Sequence, residues 1–267
     1  MADGLGSMQW EGVAERESTV LRETVLSDGQ RVVWKVLRRS ADPITAARFA
    51  REYAVIRSVN HPNVVRTLTP EHTFRGAFAM PRLVGATLRE WLHRNGPMPS
   101  VIATHVVIGL LEGLSTLHAV GVVHRDIKPS NVFYGHEAAE LVSASRAILL
   151  DLGVAHSAGG PLTAEGMIIG TPRYLAPEQI EGGAIDARTD VYAAGLCLFE
   201  LLTGAAFHDR SLRRTWELER RLSGLDLSQS ENLTPHLKVL RTALRRDPAQ
   251  RFRSARLMAQ ALVGSTQ

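Results

Sequence analysis

The stretch His124-Arg125-Asp126-Ile127-Lys128-Pro129-Ser130-Asn131, followed after an interval by Leu149-Leu150-Asp151-Leu152-Gly153, decides how this chain is read. It collects two carboxylates, an ammonium and an amide. Those groups suit the task of holding a nucleotide's metal-bound phosphates and orienting a hydroxyl for in-line phosphoryl transfer. Taken singly, each half has an ordinary alternative, because a His-x-Asp pair before Lys-Pro is a common loop and Asp-Leu-Gly a common turn. The ordered pair points to a phosphoryl-transfer site.

Working outward, the 267 residues are 45% hydrophobic, enough to bury a substantial core in one large domain or two closely associated lobes. Cys197 is the only cysteine and lies in the apolar run Gly195-Leu196-Cys197-Leu198-Phe199. No intramolecular disulfide can form, so the thiol reads as a small buried hydrophobe in a reducing, cytoplasmic setting. The segment Met1 to Met8 is short, carries Asp3 and has no apolar h-region, which argues against a signal peptide. The longest apolar stretch, Val101 to Val123, is broken by Thr104, His105, Glu112, Ser115 and His118. It falls short of the ~18 uninterrupted apolar residues of a spanning helix, so it reads as a core helix and no membrane segment is expected.

The net charge is +4, with arginines gathered between Arg210 and Arg221 and again between Arg241 and Arg256. Acidic residues interleave with them and aromatics are few, so solvated helical faces are expected and no nucleic-acid partner.

From Gln9 to Met80 the chain carries short β-rich runs, Thr19 to Val25, Arg31 to Leu37 and Val64 to Leu68, with Ser27-Asp28-Gly29-Gln30 as a hairpin turn between the first two. Ala46, Phe49, Ala50, Tyr53, Ile56 and Arg57 follow helical spacing, which His61-Pro62-Asn63 stops. After Pro81-Arg82-Leu83-Val84-Gly85 the pattern turns helical: Thr87 to Arg94, Val101 to Ala119, Asp190 to Thr203 and Leu237 to Arg246. A small sheet with one helix, then a mostly helical part, predicts an α+β molecule of two lobes with a ligand cleft between them.

From about Glu11 to Leu262 the chain resembles the Ser/Thr protein kinase superfamily, specifically the eukaryotic-like (Hanks-type) kinases of bacteria. The resemblance rests on Val33-Trp34-Lys35, Glu52, the 124–131 loop, Asp151-Leu152-Gly153, Gly170-Thr171-Pro172-Arg173-Tyr174-Leu175-Ala176-Pro177-Glu178, Asp190 and Arg251, all in family order. It implies a tail over residues 1–10 and a kinase domain over 11–264, with an N-lobe at 11–80, a hinge at 81–84 and a C-lobe at 85–264. The activity implied is transfer of the ATP γ-phosphate to Ser/Thr hydroxyls of proteins.

The same resemblance assigns roles to individual residues. Asp126 accepts or orients the proton of the attacking hydroxyl, Lys128 neutralises developing charge, and Asn131 and Asp151 hold Mg2+, for which Mn2+ can substitute. Lys35 holds the α- and β-phosphates and pairs with Glu52. Its chemistry agrees, since a charge interrupting an apolar strand needs a partner or a route to solvent. Met80 matches the gatekeeper, Pro81 and Leu83 the adenine-binding hinge, and Val20, Val33 and Phe133 the residues that sandwich the base. For these apolar residues a plain core role is equally compatible. Glu178 and Arg251 match a structural pair, and Asp190 an anchor beneath the catalytic loop.

The sequence departs from the family before Val20, where the usual glycines are Val13, Glu15 and Ser18. Glycine lets backbone N–H groups approach phosphates, and Glu15 adds an anion there. This motivates an alternative, a pseudokinase acting as an interaction module. Val33 stands where alanine is usual, Leu152 where phenylalanine is, and Gly135 to Ala147 is expected as a lengthened surface loop. Arg125 beside Asp126 suggests control by phosphorylation of the activation segment, with Thr163 the preferred self-acceptor and Ser157 the second.

Overall fold

The computed structural model describes residues 13–15, 18–68, 73–74, 76–137, 146–152, 172–205 and 236–264. Five antiparallel strands form the first sheet in the order β1-β2-β3-β5-β4: β1 (Val13–Glu15), β2 (Thr19–Val25), β3 (Arg31–Leu37), β4 (Thr73–Phe74) and β5 (Ala77–Pro81). Gly29 at φ 84 makes the β2–β3 turn, where its N–H donates to the Leu26 carbonyl and Leu26 N–H to that of Gln30. A positive φ there suits glycine, which has no Cβ to clash.

Helix α1 (Pro43–Ser58) starts at Asp42, whose carboxylate accepts from the N–H groups of Ile44 and Thr45 at 2.9 and 3.1 Å. Proline at the first helical position needs no hydrogen bond, so the start is well specified. The helix lies on the sheet through Phe49 and Tyr53, whose rings sit 5.2 and 5.3 Å from that of Phe78. Phe78 is the cross-strand partner of Lys35. Burying that aromatic stripe therefore brings the Glu52 turn of α1 to Lys35.

The chain crosses to a second antiparallel sheet at Arg82, between β5 and β6 (Leu83–Thr87). There β6 pairs with β7 (Val132–Glu137), and β7 with β8 (Arg146–Leu149). Helix α2 (Leu88–Asn95) opens with a reciprocal Thr87/Glu90 capping box. Helices α3 (Ser100–Ala119), α4 (Pro177–Glu181), α5 (Ala187–Thr203), α6 (Leu237–Ala243) and α7 (Ala255–Gly264) complete the described α-helices. The α+β organisation, a β-rich front part with one long helix and a mostly helical rear part, is as the sequence predicts.

Helix α3 is, by length and composition, apolar enough to cross a bilayer, with a mean hydropathy of 1.6, despite its polar interruptions. It packs against α5, α7 and β8, and Val107, Leu110, Leu111, Leu114 and Leu117 are fully enclosed. A helix apolar on nearly all sides is here the centre of the rear core.

Three expectations change. Val64 to Leu68 is no strand: Val64 bridges to Leu149, Val65 N–H donates to the Leu149 carbonyl, and Leu68 N–H donates to Ala79. Its backbone is divided between the two sheets, so no continuous ladder forms. The helix from Leu237 stops at Ala243, and the carbonyls of Arg245 and Arg246 are taken by the Arg251 guanidinium at 2.6 and 2.8 Å. The connection expected from Gly135 to Ala147 is shortened from both ends, because Gly135 already pairs with Arg146 in the ladder.

Candidate active site

The loop after α3 is built from below by one buried carboxylate. Asp190, fully enclosed in the first turn of α5, accepts from His124 N–H and Arg125 N–H, both at 2.8 Å, and meets His118 Nε2 at 2.7 Å. A carboxylate without water must be satisfied by donors, and here the loop backbone supplies two of them. Arg125 sits at φ 67, a left-handed conformation unusual for a residue with a Cβ.

The next residue, Asp126, is fixed on two sides. Lys128 Nζ donates to both its oxygens at 2.9 and 2.7 Å, and Asn131 Nδ2 donates to its carbonyl at 2.9 Å and to Oδ2 at 2.8 Å. Spending its nitrogen on Asp126 turns the Asn131 amide oxygen the other way. Leu150 N–H donates to the Asn131 carbonyl at 2.9 Å, which ties this loop to the turn bearing Asp151. Among the described residues, Asp151 is the second non-glycine residue with positive φ, at 37.

Across the cleft, Lys35 Nζ lies 2.7 and 2.9 Å from the two oxygens of Glu52 and 2.5 Å from Asp151 Oδ1. Burial opposes the ammonium charge, but Asp151 and then Glu52 outweigh it and hold the Lys35 pKa above its usual value. Six of the predicted residues thus form two clusters, Asp126 with Lys128 and Asn131, and Lys35 with Glu52 and Asp151. Asp151 and Asn131 carry hard oxygen donors that suit a magnesium ion.

A cavity of about 150 Å³ opens beside these groups, lined by Leu21, Val33, Met80, Pro81, Leu83, Phe133 and Leu150, with Asp151 at its end. Val33, Met80, Pro81, Leu83 and Phe133, which the sequence expects around a base, all line it, but Val20, expected with them, does not. The β2–β3 register sets Leu21 opposite Lys35 and Val20 opposite Val36, so Val20 faces away from the cleft and Leu21 lines it. One residue of register turns a side chain to the other face of a sheet.

Two groups near the site have partners that no sequence motif announces. Tyr174 donates to Glu200 Oε2 at 2.5 Å, and Arg89 donates to Tyr174 Oη at 2.5 Å and to Glu200 Oε1 at 3.3 Å. Burial, reinforced by Glu200, pushes the Tyr174 pKa up and keeps the phenol a donor. Gln179, in the first turn of α4, donates to the Arg125 carbonyl at 2.9 Å. An amide after Ala-Pro-Glu reads as a helix cap, and only the fold brings it to the loop. Ser157, Thr163, Thr171 and the arginines from Arg210 to Arg221 lie outside the described residues.

A model of the protein kinase domain family matches residues 16–263. The chain is 32% identical over 246 residues to the serine/threonine-protein kinase PknB of Mycobacterium tuberculosis strain H37Rv, covering 87% of this chain and 38% of that protein. It is 37% identical over 183 residues to PknB of Mycobacterium leprae, covering 65% and 28%, and 38% identical over 181 residues to the serine/threonine-protein kinase PkaA of Streptomyces coelicolor, covering 66% and 32%. The chain therefore spans well under half the length of these relatives. Among solved structures, Rad53 residues 1–466 in complex with AMP-PNP superimposes with a TM-score of 0.72 at 20% identity, covering 96% of this chain and 64% of that one. At that identity the likeness concerns the fold.

Proposed function

This chain belongs to the protein kinase domain family, and from that premise we propose that it transfers the γ-phosphoryl group of ATP to serine and threonine hydroxyls of proteins. The observation that carries the reading is Asp126, held by Lys128 and Asn131 on a loop that Leu150 ties to Asp151. Asp126 takes the proton of the acceptor hydroxyl as its oxygen bonds to the γ-phosphorus, the bond to the β–γ bridging oxygen breaks, and ADP leaves. Lys128, already beside Asp126, offsets charge developing on the transferred group.

Lys35, steadied by Glu52, is the donor for the α- and β-phosphates. To meet them it would exchange its contact with Asp151, and Asp151 and the Asn131 amide oxygen are the groups that would hold Mg2+. Bound there, Mg2+ supplies charge neutralisation between the phosphates. The apolar cavity from Val33 to Phe133 takes the base, and the carbonyl of Pro81 remains an acceptor although its nitrogen carries no hydrogen. Protein substrates, and Thr163 as a self-acceptor, follow from the same reading.

The pseudokinase alternative rested on Val13, Glu15 and Ser18 in place of glycines. The relatives give it no support, and Lys35, Glu52, Asp126, Lys128, Asn131 and Asp151, which the kinase reading requires, all stand in the chain. Incubation with γ-labelled ATP, magnesium and myelin basic protein tests the reading against an Asp126→Asn control. Label in the unsubstituted chain that Asp126→Asn lacks is the expected result, and absence of label from both substrate and chain would reject it.

A further inference from the structure

We propose that Gln179 is a positioning residue for phosphoryl transfer, acting on Asp126 through the carbonyl of Arg125. This rests on the kinase reading above and adds a residue that the motif roles do not include.

Gln179 is buried, 6% exposed, and its amide is divided. The oxygen Oε1 accepts from Ala176 N–H at 2.9 Å, closing the first turn of α4. The nitrogen Nε2 donates to the Arg125 carbonyl at 2.9 Å. That carbonyl belongs to the peptide unit whose nitrogen is Asp126's own, so Gln179 holds the plane from which the Asp126 side chain departs. The same unit's N–H reaches only a long contact with His124 Nδ1, 3.4 Å. Rotation of the plane is thus resisted mainly at the carbonyl.

Arg125 needs such a hold. Its φ of 67 is strained for a residue with a Cβ, and such a conformation persists only when surrounding contacts over-determine it. Two buried side chains do so: Asp190 takes the Arg125 N–H at 2.8 Å and Gln179 the C=O. One comes from α5 and the other from α4, directly after the 172–176 segment. Seating of that segment is thereby transmitted to Asp126.

A cap alone does not require this side chain. Glutamate caps a first turn as well as glutamine, but as a carboxylate it has no hydrogen to give the Arg125 carbonyl. Gln179→Glu therefore separates the two roles.

The test uses the full chain with ATP, magnesium and myelin basic protein, alongside Asp126→Asn. Gln179→Glu is expected to lower kcat about tenfold while the KM for ATP stays within about twofold, read at a temperature where circular dichroism shows the chain folded. Its shortfall shrinks as pH falls, because a protonated carboxyl regains a donor. Gln179→Leu, which loses both bonds at similar volume, falls at least as far in kcat. A folded Gln179→Glu or Gln179→Leu chain with the parent's kcat overturns the inference. If the parent itself shows no Asp126-dependent transfer, the kinase reading fails instead.

Discussion

Glu178 and Arg251 face each other as a two-bonded pair, Nη1 to Oε1 and Nη2 to Oε2, both 2.8 Å, with the guanidinium wholly enclosed. Arg251 also donates to the carbonyls of Arg188, Arg245 and Arg246, and Thr189 donates to Glu178 Oε1. One side chain thus holds the start of α4, the start of α5 and the turn after α6. Arg251→Ala leaves a buried carboxylate with one hydroxyl for company and is expected to destabilise the fold by about 3–5 kcal/mol. Urea unfolding checks it; a loss under about 1 kcal/mol would mean that water replaces the guanidinium.

Asp126→Asn should separate chemistry from binding. Lys128 and Asn131 keep a hydrogen-bond acceptor at that position, so the loop holds its shape, yet the amide accepts no proton. Transfer is expected to fall about 10²–10⁴-fold, with ATP affinity, measured by calorimetry, unaltered. A parallel loss of affinity would indicate that the loop had collapsed.

The Lys35 cluster sets an alkaline signature. A folded-state pKa held above the ordinary 10.5 contributes stability that is fully present below the unfolded value and is lost as pH rises through the folded one. The difference in unfolding free energy between the parent and Lys35→Met should therefore be flat up to about pH 10 and shrink above it. A difference already falling near neutrality would contradict the pairing with Asp151 and Glu52.

His236 works in the opposite direction. It is 1% exposed, against Thr104 Oγ1 at 3.3 Å, and burial lowers its pKa below the ordinary 6.5. Stability from this site is present above the unfolded value and lost as pH falls through the folded one. Acidification from neutrality should destabilise the parent more than His236→Gln, as read by melting temperature across a pH series.

Gly113 is where α3 touches the loop after α1. A Cβ there would come within 2.8 Å of the Asn63 carbonyl and 2.9 Å of Leu149 Cδ1. Gly113→Ala is expected to cost about 1–3 kcal/mol by overpacking, although alanine is the better helix former. Denaturant midpoints decide between the two; a stabilised Gly113→Ala would show that the loop yields.

The parts legible in the sequence are those where chemistry needs a fixed residue at a fixed spacing. Asp126, Lys128 and Asn131 lie on one short loop, so local order alone brings them together. The meeting of Lys35, Glu52 and Asp151 was legible only through the resemblance, since it depends on α1 docking onto Phe78. The face of β2 was not legible: whether Val20 or Leu21 enters the cleft depends on the strand register, which an apolar run reading Thr-Val-Leu does not encode. Val64 to Leu68 has strand composition, yet its partners lie on two sheets. Gln179 was hidden because its donor bond reaches a backbone carbonyl 54 residues away, and carbonyls look alike in every sequence.

Asn63 is counted with the front part by its position in the chain, but its bonds belong to the rear: Nδ2 donates to Ala147 at 2.7 Å and its carbonyl accepts from Leu149 N–H at 2.8 Å. The far end of α1 is thus bolted to the larger part, and the helix is a lever with a fixed fulcrum. Glu52 stands seven residues before the cap at Val59, about 10 Å along the axis at 1.5 Å per residue. A swing of about 15° about that fulcrum would carry Glu52 roughly 2.7 Å, using the same rise. That is as far as the carboxylate now stands from Lys35, so a small tilt suffices to uncouple the pair while the anchored end stays still.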